Sequence, residues 1–386
     1  MNVGYEKEKE TDDYCIFTNE SLNKNYLIDY IRNNSINFKY IRDNFMGLDN
    51  ISSPPYLNAV IQNIVNIPSL ITYLMDESNF ALIDKNKNVC NFTCFICRIL
   101  SNLYYDRNIT SFNLNYLNEF IYFKKSKFKF DENCIPGELI KYILETLNEE
   151  FIKLFSILAQ KSNNRVFNST IISNTFLCEI RNISKCNSCQ NKKADYSNKF
   201  LFDFHLDVIY NRYIDTMDMI KRNGKYILTL ELCFKFFNEP IALNGDYFCD
   251  KCKKITELEK KEDLFKLPNV LIISVNKESD INNIYDFSFP EELNLKNFIN
   301  NRSRIINYKY NLIGIISHKE SRKEYCAFCK HSLSNKWYKC KDLSIDICYN
   351  PIKELLSQNV DVLIYESLGG STDSKNIRDI IDEKKK

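Results

Sequence analysis

The chain is poor in glycine, tryptophan and histidine, and it has no long apolar run. Its 386 residues include 8 glycines, 1 tryptophan and 3 histidines, so few imidazoles are available as catalytic bases. No uncharged apolar stretch approaches the roughly 20 residues that a membrane-spanning helix needs, and residues 1–13 lack the apolar centre of a secretory signal. We therefore expect a cytoplasmic protein, with the nucleus as the second location, and no membrane contact.

An excess of charge of either sign is also absent. The sequence has 52 Lys+Arg against 50 Asp+Glu, a formal net charge of +2. Proteins that bind nucleic acid through their overall charge are strongly basic, so the composition gives no direct nucleic-acid signal. The length suffices for one large domain, or two ordinary ones, whose core needs no disulfides.

Cysteine, by contrast, is plentiful, with 15 residues in a chain without a secretory signal. Thiols in the cytosol or nucleus stay reduced. Cys186 and Cys189 form one CxxC knuckle, and Cys249 and Cys252 form a second. Two such knuckles can supply the four thiolates of a closed tetrahedral zinc site, which leaves no position open for a catalytic water. We predict a structural Zn²⁺ that ties two β-hairpins together; the alternative is four incidental thiols.

The other closely spaced cysteines have different predicted roles. Cys90, Cys94 and Cys97 recur at helical spacing on one face, which favours buried thiols over a metal site. Cys326 and Cys329 lie in a strand pattern, where residues three apart point to opposite faces. The second pair is therefore not a zinc knuckle.

The order of the predicted elements indicates the fold class. Helical periodicity predicts helices at 56–74 and 138–155. Short runs rich in β-branched residues then predict strands at 201–208, 270–275, 310–317, 325–331 and 360–365. A helical first part followed by an antiparallel second part favours an α+β fold over alternating βαβ units.

Three groups of motifs resemble the ubiquitin-specific protease family. The first is the box Gly-Leu-x-Asn at 47–50 followed by Pro-Tyr-x-Asn at 55–58 and a glutamine at 62. The others lie at 247–254 with 266–273, and at 310–318, 337–342 and 362–366. This resemblance implies a papain-like cysteine-peptidase fold with a helical thumb, a β palm and zinc-tied β fingers. It places the domain at 41–367, with fingers at about 178–258, a lead-in segment at 1–40 and a polar tail at 368–386.

The catalytic positions of this family carry unusual residues. A papain-type hydrolase needs a thiolate, an imidazole that activates it and an acid or amide that orients the imidazole. The motifs place Pro55, Glu324 and Lys341 at these three positions, and Asn50 at the position of the oxyanion-stabilising asparagine. The resemblance therefore predicts a pseudo-deubiquitinase that is not an enzyme. The alternative is residual activity from a shifted triad that uses another cysteine with His318 or His331.

Two inactive branches of the family are similar to the chain. Segments 37–48 and 90–97 are similar to the domain in the large subunit of the PAN poly(A)-nuclease deadenylase, whereas 66–70 and 337–347 are similar to the inactive splicing factor of the tri-snRNP. We favour the PAN branch, without an exonuclease domain in this chain. It predicts a scaffold that holds other protein subunits of an mRNA-processing complex; the alternative is a module that binds ubiquitin.

Overall fold

The computed structural model describes most of the predicted domain. The described residues are 45–50, 54–104, 111–124, 128, 135–162, 170–216, 219–277, 284–299, 307–319, 324–331, 334–354 and 359–368. The predicted lead-in segment and all but the first residue of the predicted tail lie outside them. Among the described helices, none is both long enough and apolar enough to cross a membrane.

The first part of the chain is mainly helical. Its elements are β1 (Gly47–Asp49), α1 (Leu57–Ile64), α2 (Pro68–Leu74), α3 (Glu77–Lys85), α4 (Asn91–Tyr104), β2 (Ser111–Asn113), α5 (Asn115–Lys124), α6 (Pro136–Ser162) and α7 (Ile171–Phe176). The predicted helix at 138–155 is confirmed within α6. The single helix predicted at 56–74 is wrong, because Pro68 cannot continue α1 and instead begins α2.

The second part is mainly strand. Its elements are β3 (Cys178–Cys186), β4 (Lys192–Lys199), β5 (Phe202–His205), α8 (Leu206–Tyr213), β6 (Ile220–Arg222), β7 (Lys225–Thr229), α9 (Leu230–Asn238), β8 (Ile241–Cys249), β9 (Lys254–Lys266), β10 (Val270–Asn276), β11 (Tyr285–Ser288), β12 (Glu292–Asn294), β13 (Lys309–His318), β14 (Tyr325–Lys330), β15 (Trp337–Lys341), β16 (Ser344–Cys348), α10 (Pro351–Glu354) and β17 (Asn359–Ser367). The predicted strand at 201–208 is wrong beyond His205, where α8 begins. The other four predicted strands are confirmed, although β14 ends at Lys330, one residue before the predicted bound.

An eight-stranded palm sheet divides the core into two. Its order is β16-β15-β14-β13-β17-β10-β5, with β12 paired to β13. In β17, Val362 and Ile364 pack into the core shared with the helices of the first part, whereas Leu363 and Tyr365 pack into the core that contains α8 and α9. Alternation of side chains along each strand therefore gives each face of the sheet its own apolar layer.

A separate four-stranded sheet forms the fingers. Its order is β4-β3-β9-β8, and all three pairings are antiparallel. Glu179 pairs with Lys266 at the end of the sheet that leads into β10, whereas Cys186 pairs with Leu258 towards the other end. The two CxxC turns therefore lie together at the end of the fingers that is remote from the palm.

Candidate functional site

The sequence-predicted catalytic positions come together at one end of the palm. β14 begins directly after Glu324, and its antiparallel partner β15 ends at Lys341. The rings of Tyr56 and Tyr325 meet edge to face with centroids 6.0 Å apart. Because these tyrosines directly follow Pro55 and Glu324, the start of α1 and the start of β14 lie side by side.

An ion-pair cluster occupies this region. Glu324 Oε2 accepts a hydrogen bond from Lys341 Nζ at 2.9 Å and from Lys319 Nζ at 2.9 Å. The hydrogen bonds from Lys341 and Lys319 lower the pKa of Glu324 to about 2. Glu324 is therefore ionised at neutral pH, and a carboxylate with so low a pKa is a weak general base. The sequence motifs identified Glu324 and Lys341 but not Lys319, whose contribution depends on the fold.

Asn50 and Asn58 are joined by one carboxylate. Asn58 Nδ2 donates to Asp342 Oδ1 at 2.7 Å, and Asn50 Nδ2 donates to Asp342 Oδ2 at 3.2 Å. The amide that the motif assigns to oxyanion stabilisation is therefore oriented by an acid directly after Lys341. The role of Asn58 was not predicted, although its place in the 47–62 box is a signal that indicates it.

Backbone contacts also hold the segment that precedes Asn50 against Asp342. Leu48 N–H donates to the Asp342 carbonyl at 3.0 Å. A side-chain carbon added at Gly47 would come within 2.8 Å of the Leu343 backbone. Glycine is therefore required for the close approach of β1 to the turn between β15 and β16, and this approach brings Asn50 to Asp342.

The histidines of the predicted alternative triad are buried. His318 is 6% exposed, and its Nδ1 lies 2.7 Å from Asp361 Oδ2. His331 is 1% exposed, and Ser334 N–H lies 3.3 Å from its Nδ1. His318 thus has the carboxylate partner that an imidazole base requires, but it lies beneath the surface, where a protein substrate has no direct access.

A cavity of about 590 Å³ lies where the thumb, palm and fingers meet. Glu138 of α6, Lys199 of β4 and Asp203 of β5 are among its lining residues. Asp203 Oδ1 accepts a hydrogen bond from Asn276 Nδ2 at 2.7 Å, and burial raises the pKa of Asp203. Local sequence patterns do not indicate this cavity, because its walls come from distant parts of the chain.

The two CxxC knuckles form a four-cysteine cluster at the fingertip. Cys186 Sγ lies 3.9 Å from Cys252 Sγ, and Cys189 Sγ lies 3.6 Å from Cys249 Sγ. All four sulfurs lie within 4.8 Å of one another. In a tetrahedral site with Zn–S distances of about 2.3 Å, the sulfurs are about 3.8 Å apart, so the cluster fits zinc.

The remaining cysteines follow their predicted packing. Cys90 and Cys97 are buried, and Cys94 is partly buried. Cys326 and Cys329 belong to different cores on opposite faces of the palm sheet. Their thiols diverge, as the strand pattern predicts.

These parts define a ubiquitin-hydrolase type of domain, and comparison with known proteins establishes the family. The family model described as "Ubiquitin carboxyl-terminal hydrolase" matches residues 46–365. The chain belongs to this family. Its α+β fold with helical thumb, β palm and cysteine-bearing fingers is confirmed.

Related sequences and solved structures support the same family and fold. The chain is 25% identical over 335 residues to ubiquitin carboxyl-terminal hydrolase 25 of Arabidopsis thaliana, a match that covers 83% of this chain and 47% of the relative. It is 25% identical over 357 residues to ubiquitin carboxyl-terminal hydrolase 8 of Saccharomyces cerevisiae, covering 84% and 71%. The chain thus spans about half the length of the Arabidopsis relative. A SAGA DUB module of Ubp8, Sgf11, Sus1 and Sgf73 bound to monoubiquitin contains a chain with the same fold, with a TM-score of 0.66 and 21% identity over 89% of this chain and 76% of that one.

The prediction that the chain is not an enzyme is contradicted by these comparisons. The matching family model is that of a hydrolase, and both relatives carry the name of a ubiquitin carboxyl-terminal hydrolase. The three substitutions were inferred from motif resemblance, and motif resemblance alone does not establish which residues of a chain carry out its chemistry. The assignment of Pro55, Glu324 and Lys341 to those positions stays a prediction, as do the PAN-type branch and the domain boundaries.

Proposed function

We propose that this chain recognises ubiquitin through the combined thumb, palm and fingers. The observation that carries the proposal is the family match over residues 46–365, which spans all three parts. Two solved structures with this fold hold ubiquitin, one as monoubiquitin and one as ubiquitin aldehyde. Ubiquitin is therefore the partner that the fold of this chain supports best.

The cavity at the junction of the three parts is the proposed contact. Its volume of about 590 Å³ is typical of ligand pockets. Glu138 and Asp203 provide carboxylate oxygens, which accept hydrogen bonds from the N–H groups and cationic side chains of a peptide. An extended segment of ubiquitin that enters this cavity would contact thumb, palm and fingers together.

Titration calorimetry tests this proposal. We expect free ubiquitin to bind with a Kd on the order of micromolar, equivalent to about 8 kcal/mol. The double variant Glu138→Lys with Asp203→Lys should weaken binding at least about tenfold, because two peptide acceptors become cations. A matched control, Glu291→Lys with Glu292→Lys, makes the same change of charge at exposed positions outside the cavity and should bind like the unaltered chain. Absence of binding, or equal loss in both variants, would contradict the proposal.

We further propose that the four-cysteine cluster holds a structural zinc ion. Cys186, Cys189, Cys249 and Cys252 supply a complete set of soft thiolate ligands at distances that fit the metal. Elemental analysis of the reduced, purified chain should find about one zinc per chain. Cys189→Ser with Cys252→Ser should remove it, whereas Cys94→Ser, outside the cluster, should not. A metal-free chain that keeps its folded stability would contradict this assignment.

A second candidate role is that of a scaffold for other protein subunits. The observation that favours it is that the neighbouring Ubp8 chain is solved in complex with Sgf11, Sus1 and Sgf73. We propose that the chain holds protein partners of an mRNA-processing complex in the cytoplasm, as the PAN-type resemblance predicts. Affinity purification from the source organism tests this role. Deadenylation factors would support it, spliceosomal proteins would favour the alternative branch, and recovery of neither would reject an mRNA-processing role.

A further inference from the structure

The tip of the fingers carries positive charge that neither the ubiquitin contact nor the zinc site uses. Segments 187–193 and 250–256 contain five lysines and one acid, Asp250. The lysines are all exposed; they are Lys192, Lys193, Lys251, Lys253 and Lys254. The four-cysteine cluster brings the two segments together, so these lysines share one surface.

The five lysines of this surface form no ion pair with a described carboxylate. Further down the same sheet, lysines pair with carboxylates, as in Lys199 with Glu262 at 2.9 Å and Lys261 with Asp263 at 2.9 Å. Within the described part of the chain, no carboxylate lies within 4.0 Å of the five tip lysines. A zinc ion with four thiolates would add two negative charges. Together with Asp250 and with Glu257, whose carboxylate accepts a hydrogen bond from Asn187 Nδ2 at 3.4 Å, these leave the five lysines with an excess of one positive charge.

An exposed apolar pair lies beside the lysines. Phe248 is 52% exposed, and its cross-strand partner Ile255 is 66% exposed. Both flank the turn that carries Lys251 and Lys253, and Lys254 begins β9 directly after this turn. An aromatic ring next to flexible cationic side chains is the combination that binds single-stranded nucleic acid, because every base can stack on the ring while the phosphates contact the cations. An acidic peptide would need the lysines but not the ring.

The distance between the lysines of the fingertip can be compared with the length of a nucleic-acid strand. β4 and β8 are the two edge strands of the finger sheet, with β3 and β9 between them. Lys192 at the start of β4 aligns through Lys185 with Glu259, five residues along β9 from Lys254. At about 4.8 Å per strand and about 3.4 Å per residue, Lys192 and Lys254 lie about 20 Å apart. A strand of several nucleotides can span this distance.

We propose that the fingertip binds single-stranded nucleic acid, with the tip lysines on phosphates and Phe248 stacked on a base. The near-zero net charge of the whole chain does not indicate this site, because acidic residues elsewhere balance the positive charge of the fingertip. The proposal is independent of ubiquitin binding, which involves the opposite end of the finger sheet.

Fluorescence anisotropy of the full, zinc-loaded chain with labelled oligo-U and oligo-dT tests the proposal at about 50 and 200 mM salt, a range over which binding through phosphates weakens steeply. The variant with Lys192, Lys193, Lys251 and Lys254 each changed to Gln should bind more weakly. Its slope of log affinity against log salt should fall by about 0.7 for each phosphate that the variant no longer neutralises. Phe248→Ala should weaken binding about fivefold or more without a change of slope, because stacking releases no counterions.

A matched variant controls for overall charge. Changing Lys266, Lys296, Lys309 and Lys336 to Gln removes the same charge from exposed positions away from the fingertip and should leave affinity and slope unchanged. Ubiquitin titration and zinc content verify that each variant is folded. Equal weakening in the two quadruple variants, no binding at the lower salt, or equally strong binding of a poly-glutamate peptide would overturn the proposal.

Discussion

At the scale of single residues, the predicted catalytic region is organised by charge. Glu324 lies between Lys319 and Lys341, and Asp342 joins Asn50 to Asn58. Glu324 is 43% exposed, so its ion pairs add little to global stability. Their role is to hold the ends of β13, β14 and β15 in one arrangement, because charge-assisted hydrogen bonds are short and directional.

The ion pairs predict a pH dependence of stability. Because Lys341 and Lys319 lower the pKa of Glu324 to about 2, this carboxylate stabilises the fold above its unfolded pKa and loses the effect as pH falls towards 2. The difference in Tm between the unaltered chain and Glu324→Gln should therefore be small at neutral pH and should shrink further between about pH 5 and pH 2. Glu292→Gln, at an exposed site on β12, is the control. A difference that stays constant over this range would contradict the assignment.

Restoring the family residues tests the assignment of positions. The variant Pro55→Cys with Glu324→His and Lys341→Asp puts a thiol, an imidazole and an acid at the three predicted positions. If the assignment is right, the thiol at position 55 of this variant should be labelled by a ubiquitin whose carboxyl terminus carries a thiol-reactive group, because the introduced imidazole activates it. The single variant Pro55→Cys, without the imidazole, should be labelled at least about tenfold more slowly. Equal labelling rates for the two variants would refute the positions.

At the scale of helices and strands, a residue distant in sequence completes the start of α4. The N-terminus of α4 is capped by Glu150 of α6, whose carboxylate accepts hydrogen bonds from Phe92 N–H at 2.9 Å and Thr93 N–H at 2.8 Å. Thr93 Oγ1 adds a third at 2.7 Å. This carboxylate replaces the N-cap side chain that usually accepts these bonds, so α4 and α6 are fixed to each other.

Removal of this cap should destabilise the helical thumb. Glu150→Ala should lower the free energy of unfolding by about 1–2 kcal/mol, because the first N–H groups of α4 lose their acceptor. Glu149→Ala, at the exposed neighbouring position, should change it by less than about 0.5 kcal/mol. Urea unfolding of both variants measures the difference. Similar free energies of unfolding for the two variants would show that the Glu150 cap does not contribute to stability.

Across the domain as a whole, the palm sheet joins two apolar cores. Leu363 and Ile364 are adjacent in β17, yet they pack on opposite sides of the sheet. Both are almost fully buried, at 0% and 1% exposed. Loss of packing on either side must therefore strain the strand that both cores share.

This arrangement predicts cooperative unfolding. Leu363→Ala and Ile364→Ala should each cost about 2–5 kcal/mol, and each variant should unfold in one transition when followed by both circular dichroism and tyrosine fluorescence. Val208→Ala, at an exposed apolar position, is the control. Two separate transitions in either variant would mean that the cores unfold independently.

Features that depend on the spacing of residues and on the order of elements could be predicted from the sequence. The two CxxC knuckles predicted the four-cysteine cluster, and the change from helical to strand patterns predicted the α+β class. The motifs at 47–62 and 310–342 predicted the family. Each of these features depends on residues close together in the chain or on the order of the elements, so local patterns suffice to identify it.

Contacts between distant segments, in contrast, became visible only in the folded chain. Folding places Lys341 on Glu324, Asp342 on Asn58, and Glu150 at the start of α4, and it creates the cavity between thumb, palm and fingers. It also gathers the tip lysines into one patch, although the composition of the chain is almost neutral. The physical reason is that hydrogen bonds, ion pairs and cavities depend on which surfaces pack together, and local patterns do not encode that choice.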